Sequence, residues 1–161
     1  MITLKTFERT PSLSELKVTY KRGRGKKCGP LKKPFHVSGP RECAEYLRSL
    51  WDKDTIELRE EFVLVCLNAS LELNGWVKLH TGGLDSTPVD PRLVFGVALQ
   101  TASAAIVVAH NHPTGSVRPS EEDEVMTLRL AAGAKLLGLH FLDHVIVTRD
   151  GYYSFAEAGR I

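Results

Sequence analysis

Two apolar runs restrict the folds open to this chain more than any other feature. They are "EFVLVCLN" (residues 61–68) and "SAAIVVAH" (residues 103–110). Each is short and rich in β-branched residues. The first is apolar at odd and even positions alike, so a strand built from it has no face to give to water. Such strands need helices on both sides of their sheet, and the chain supplies helical stretches between them. The expected class is α/β, a layered domain with a sheet flanked by helices.

The remaining elements follow from local signals. "SGPRECAEYLRSLWD" reads as a helix that Ser38 can cap, with Ala44, Leu47, Leu50 and Trp51 on one face. "DKDTIELRE" is a turn or short helix leading into the first buried strand, and "GWVKLHTG" returns as a second strand. "VDPRLVFGVALQTA" starts a helix with Asp90 as N-cap and Pro91 at the first helical position. "PSEEDEVMTLRLAAGAKLLG" is a long helix in which Val125, Leu128, Ala132 and Leu136 share a face. "LHFLDHVIVT" is a strand, Arg149-Asp150-Gly151 a tight turn and "YYSF" a last short strand.

A length of 161 residues suits one such domain. Residues 1–35 read differently: a basic extension broken by Gly23, Gly25, Gly29, Pro30 and Pro34, with residues 36–161 as the compact unit. The formal net charge of +2 excludes a polycation built for nucleic acid, although Lys21 to Lys33 ("KRGRGKKCGPLKK") concentrates positive charge. That stretch has no aromatic residue between its charges, so only weak, non-specific DNA contact is expected of it. The scattered Cys28, Cys43 and Cys66 point to reduced thiols and a cytoplasmic setting. No signal peptide and no membrane span are expected.

Chemistry gathers in "AHNHPTGSVRPSEED", residues 109–123. His110 and His112 leave the C-terminal end of a buried strand, where ligand sites of α/β sheets collect. On extended backbone, residues i and i+2 point the same way, so two imidazoles can converge. Pro113 and Gly115 turn the chain, Ser120 stands where an N-cap belongs, and Asp123 falls at the third helical position. Two histidines and a carboxylate match a catalytic zinc site, which uses three protein ligands and keeps a fourth position open. Ser-x-x-Asp alone reads as a capping box. His36 and His80 read as surface or packing residues; His140 and His144 read either as markers of a pocket edge or, the favoured expectation, as structural residues. There is no H-E-x-x-H and no H-x-E with P-C-x-x-C, which excludes a zincin helix and a cytidine-type deaminase site. A general base is still required, and an acid on another strand can supply it.

"HNHPTGSVRPSEED" fits His-x-His, seven residues, Ser-x-x-Asp, and so resembles the JAB1/MPN/Mov34 (JAMM) metalloproteases, in particular their RadC-type branch. The likeness extends through "EEFVLVCLN", "TGGLDSTPVDPRLVFGVALQTASAAIVVAHNHPTG" and "LLGLHFLDHVIVTRDGYYSFAEAG". It implies a mixed sheet flanked by helices in the JAMM/MPN (cytidine-deaminase-like) architecture. It also implies one Zn2+ held by His110, His112 and Asp123, with Ser120 hydrogen-bonding the carbonyl oxyanion or the metal's water. Two acids in "LREEF", Glu60 and Glu61, are candidates for the base, and periodicity does not separate them. The RadC-type pattern Glu-x-aromatic matches Glu60 to Phe62, which selects Glu60. Full-length RadC proteins also carry an N-terminal helix-hairpin-helix region, whereas only a basic extension is seen here.

Two functions compete. The first is a zinc hydrolase of amide or isopeptide bonds, with a protein or peptide as substrate. The second is a nucleic-acid-associated, DNA repair-linked binding module with a structural or vestigial metal site. A phosphodiesterase would more often hold two metals with several carboxylates, and the motif offers one. The hydrolase is the favoured expectation.

Overall fold

The structure, a computed structural model, describes residues 39–82 and 89–161. The basic extension, Ser38 and His36 lie outside the described residues. The elements in chain order are α1 (Pro40–Arg48), β1 (Glu61–Leu67), β2 (Leu73–Thr81), α2 (Pro91–Gln100), β3 (Ala105–Asn111), α3 (Glu121–Leu136), β4 (His140–Val147) and β5 (Tyr152–Ser154).

The five strands form one mixed sheet in the order β2-β1-β3-β4-β5. Among the described residues, only the β3–β4 pair is parallel. It is joined through α3, because parallel neighbours need a crossover that returns the chain to the same sheet end. The two apolar runs become β1 and β3, every residue of which is buried. Alternation along them builds two cores. Val63, Val65, Val107 and Ala109 pack under α1 with Cys43, Ala44, Leu47 and Trp51. Phe62, Leu64, Cys66, Ile106 and Val108 pack under α2 and α3 with Val94, Ala98, Met126, Leu130 and Ala134. The sheet is therefore covered on both faces, as runs without a polar face require.

Several local details differ from expectation. Helix α1 ends at Arg48, so Leu50 and Trp51 reach the same core from the turn beyond it. Its N-cap is Gly39, which makes no side-chain cap bond. In α3, Val125, Leu128, Ala132 and Leu136 do share a face, but it is the outward one. Val125, Leu128 and Leu136 are 55%, 61% and 87% exposed. The buried stripe is Met126, Leu130 and Ala134 with Thr127. Gly133 lets α3 approach α2 closely, since a Cβ there would stand 2.5 Å from the Phe95 ring. Cys43 and Cys66 are buried free thiols. Among the described residues, no helix is long and apolar enough to cross a membrane.

Candidate metal centre

His110 lies near the end of β3, paired across to Phe62 of β1 and, in the parallel direction, to Ile146 of β4. His112 follows one residue past the strand, where its backbone N–H still donates to the Val147 carbonyl. That bond carries the extended conformation far enough for both imidazoles to point the same way. Their Nε2 atoms stand 3.0 Å apart.

Asp123 arrives from the other direction, at the start of α3. Ser120 is the N-cap, and the capping box is complete. The Asp123 N–H donates to Ser120 Oγ at 3.1 Å, and the Ser120 N–H donates to Asp123 Oδ2 at 2.8 Å. The Ser120 hydroxyl donates to the same Oδ2 at 2.7 Å. This fixes the carboxylate by one oxygen and leaves Oδ1 facing His110 Nε2 at 3.0 Å. Oδ2 is 3.4 Å from His112 Nε2. Ser-x-x-Asp is thus a capping box and part of the site at once, because capping is what aims the acid.

The donor chemistry fits a divalent cation. His112 Nδ1 lies 2.8 Å from the Ser116 carbonyl oxygen, which can only accept. Nδ1 therefore carries the proton and Nε2 presents a lone pair to the centre. The His110, His112 and Asp123 ligand atoms all lie within 4.8 Å of one another. Ligands ~2.0 Å from a tetrahedral metal stand about 3.3 Å apart; the two imidazole Nε2 atoms are 3.0 Å apart, and each faces a different oxygen of Asp123, at 3.0 and 3.4 Å.

A proton and a metal compete for the same lone pairs. Burial opposes ionisation of Asp123, but the pull of the adjacent His110 and His112 imidazoles outweighs it and holds the carboxyl well below the usual range. The hydrogen bond to Asp123 raises His112 above the ordinary imidazole value despite partial burial, and the charge of Glu60 adds to the rise.

The two acids at the start of β1 part company. Glu61 is buried, and it lies on the face of Val63 and Val65, away from the histidines. Its carboxylate is 2.6 Å from Lys78 Nζ and 3.2 Å from Arg59 Nε. Lys78 is the cross-strand partner of Val63 on that face. Glu60 is half-buried, and its carbonyl accepts from the Gly82 N–H, extending the β1–β2 ladder. The alternation puts it on the side of Phe62, whose ring stacks on His110 at 6.3 Å.

Two further residues support the centre. Asn111, between the histidines, points to the opposite face and is completely buried. Its Oδ1 accepts from Trp51 Nε1 and the Glu61 N–H, both at 2.8 Å. Its Nδ2 donates to the carbonyls of Ile56 at 2.6 Å and Arg59 at 2.9 Å. One amide thereby joins the ligand strand to the turn that presents Glu60. The available signal was its place in the middle of His-Asn-His, which on a strand turns it to the face opposite the two imidazoles. The second is His144, which sits behind His110 with its Nε2 2.9 Å from His110 Nδ1. Burial drives its pKa well below the ordinary imidazole value. His140, four residues earlier, is exposed at the far end of β4.

Comparison with known proteins bears on the same region. A family model described as "RadC-like JAB domain" matches residues 37–160. A UPF0758 protein of Thermotoga maritima is 38% identical over 110 residues, covering 68% of this chain and 50% of that protein. A UPF0758 protein of Rubrobacter xylanophilus is 44% identical over 103 residues, covering 64% and 45%. One from Methanosarcina barkeri is 34% identical over 110 residues, covering 68% and 48%. The chain spans about half the length of the curated relatives it matches.

Proposed function

The chain belongs to the RadC-like JAB domain family, and on that premise we propose that it is a zinc-dependent hydrolase of amide or isopeptide bonds, acting on a protein or peptide. The observation that carries this reading is the convergence of His110 Nε2, His112 Nε2 and an Asp123 carboxylate oxygen on one point. Two imidazoles and a carboxylate leave an open fourth position, which is the pattern of catalytic rather than structural zinc. When bound, zinc supplies Lewis acidity and brings the pKa of water down to roughly 7.

The chain's own residues do the rest. Glu60, half-buried on the histidine side of β1 and not a ligand, takes the proton of the attacking water. It returns that proton to the leaving nitrogen, which would otherwise depart as a poor amide anion. The Ser120 hydroxyl donates to the oxygen of the substrate carbonyl as negative charge develops there. Its single proton is directed at Asp123 Oδ2, so this role requires the hydroxyl to rotate while its oxygen keeps accepting the Asp123 N–H.

The test is cleavage of a peptide and isopeptide library by the zinc-loaded chain, by Glu60→Gln and by Ser120→Ala, with a chelator control. Glu60→Gln should keep its metal and fold and lose ~10²–10⁴ in rate, and Ser120→Ala should lose less. Equal cleavage by the parent and Glu60→Gln would remove Glu60 from the mechanism. No cleavage across the library by any zinc-loaded form would favour a binding module.

A further inference from the structure

His144 and Thr127 belong to different elements and neither is a proposed ligand, yet both are connected to the centre. Thr127 lies one turn after Asp123 on α3, and its hydroxyl donates to the Asp123 carbonyl at 2.6 Å. Its Oγ1 is also 2.6 Å from His144 Nδ1. His144 Nε2 is 2.9 Å from His110 Nδ1. The side chains of Thr127, His144 and His110 are all buried, so none of these contacts can be exchanged for water.

One proton order follows when the Thr127 hydroxyl donates to the Asp123 carbonyl; donation to His144 Nδ1 instead would reverse every later step. Thr127 Oγ1 can then only accept from His144, which places the His144 proton on Nδ1. His144 Nε2 is left as an acceptor, and it takes a proton from His110 Nδ1. The last consequence is at the centre: His110 Nε2 has no proton and directs a lone pair at His112 and Asp123. The opposite tautomer of His110 would put an N–H where a metal must sit.

We infer that Thr127 and His144 are positioning residues that set the tautomer and ring orientation of His110, and so determine how tightly the centre holds its metal. The relay begins at the backbone of one proposed ligand, Asp123, and ends on the ring of another, His110. It therefore couples the start of α3 to the end of β3 through β4. Two flanking rings keep the His144 imidazole in the orientation the relay needs. Phe155 stacks on it at 4.9 Å and 9°, and Phe62 lies at 5.9 Å. Ligating histidines commonly donate their second nitrogen to a carboxylate or carbonyl. Here a second histidine takes that place, and it accepts correctly only because a threonine fixes its own proton.

The inference rests on the zinc reading, but its first readout does not. Nitrogen-15 NMR of the imidazole rings in the metal-free full chain, in mildly alkaline buffer, reports the tautomer of His110 directly. The parent should show His110 protonated on Nδ1 and bare at Nε2. Thr127→Val, which keeps volume and removes the hydroxyl, should mix the tautomers, and Thr127→Ser should restore the parent pattern. Zinc competition against a chelator should show about 10–100-fold weaker binding for Thr127→Val and His144→Phe, with Thr127→Ser unchanged. A parent in which His110 carries its proton on Nε2 would overturn the inference. So would parent-like tautomer and zinc affinity in a folded Thr127→Val, whether or not His144→Phe folds. A parent that binds no zinc but shows the expected tautomer, lost in Thr127→Val, would sink the zinc reading and leave the relay standing.

Discussion

Asn111 shows how much of a site can depend on a residue that never faces it. Its amide makes four buried hydrogen bonds, two as acceptor and two as donor, and each of its polar valences is filled. A buried hydrogen bond contributes about 1 kcal/mol net, and orphaned partners cost more. Asn111→Ala strands the Trp51 indole N–H, the Glu61 N–H and two carbonyls. It should lower stability by about 3 kcal/mol or more in urea titration, with the turn carrying Glu60 loosened first in hydrogen exchange. The two neighbouring acids should separate by the same logic. Glu61→Gln breaks a partly buried pair with Lys78 and should cost stability while leaving zinc content intact. Glu60→Gln should leave the melting temperature nearly unchanged. At this scale, His110, His112, Asp123 and Ser120 were legible because their spacing has few other uses. The choice between Glu60 and Glu61 was not legible from periodicity, because β1 is apolar on both faces. Only the partner strand, through Lys78, reveals which side each acid takes. Asn111 stayed hidden, and His144 was read without its partners, because those partners are far away in sequence.

Helix α3 does two things at once. Its first turn aims Asp123 through the capping box, and its inward stripe of Met126, Leu130 and Ala134 seats it on β3 and β4. Its outward stripe is apolar as well, which is why a helical period read from sequence leads to Val125, Leu128, Ala132 and Leu136. Two stripes of similar hydropathy on opposite faces cannot be ranked by period alone. The position of Gly133 against Phe95 breaks the tie, and that contact is tertiary. Leu130 has no exposure, whereas Leu136 is 87% exposed. Leu130→Ala should therefore cost about 2–5 kcal/mol, and Leu136→Ala should stay within roughly 0.5 kcal/mol. Equal losses in chemical denaturation would mean that the outward face is covered in solution. The strands were easier to foresee. Runs as apolar as β1 and β3 have one stable location, the middle of a covered sheet, and that is where they lie.

For the molecule as a whole, the sheet brings three separate segments to one place. The strand end at His110 and His112, the helix start at Asp123 and the more distant approach to β1 at Glu60 gather at the C-terminal end of β3. The layered class was legible from the apolar runs, and the strand order was not, because pairing depends on contacts that no local pattern records. A bound metal stabilises the folded chain by mass action, about 2.7 kcal/mol at 100-fold excess over its dissociation constant. A chelator should accordingly lower the melting temperature of the parent and leave His110→Ala unaffected. The most direct measurement is the metal content of the chain purified without added metal, beside His110→Ala and His112→Ala. One zinc per chain in the parent, and far less in both variants, is the expected result. Stoichiometric zinc retained in both variants would contradict the assignment of His110, His112 and Asp123 as its ligands.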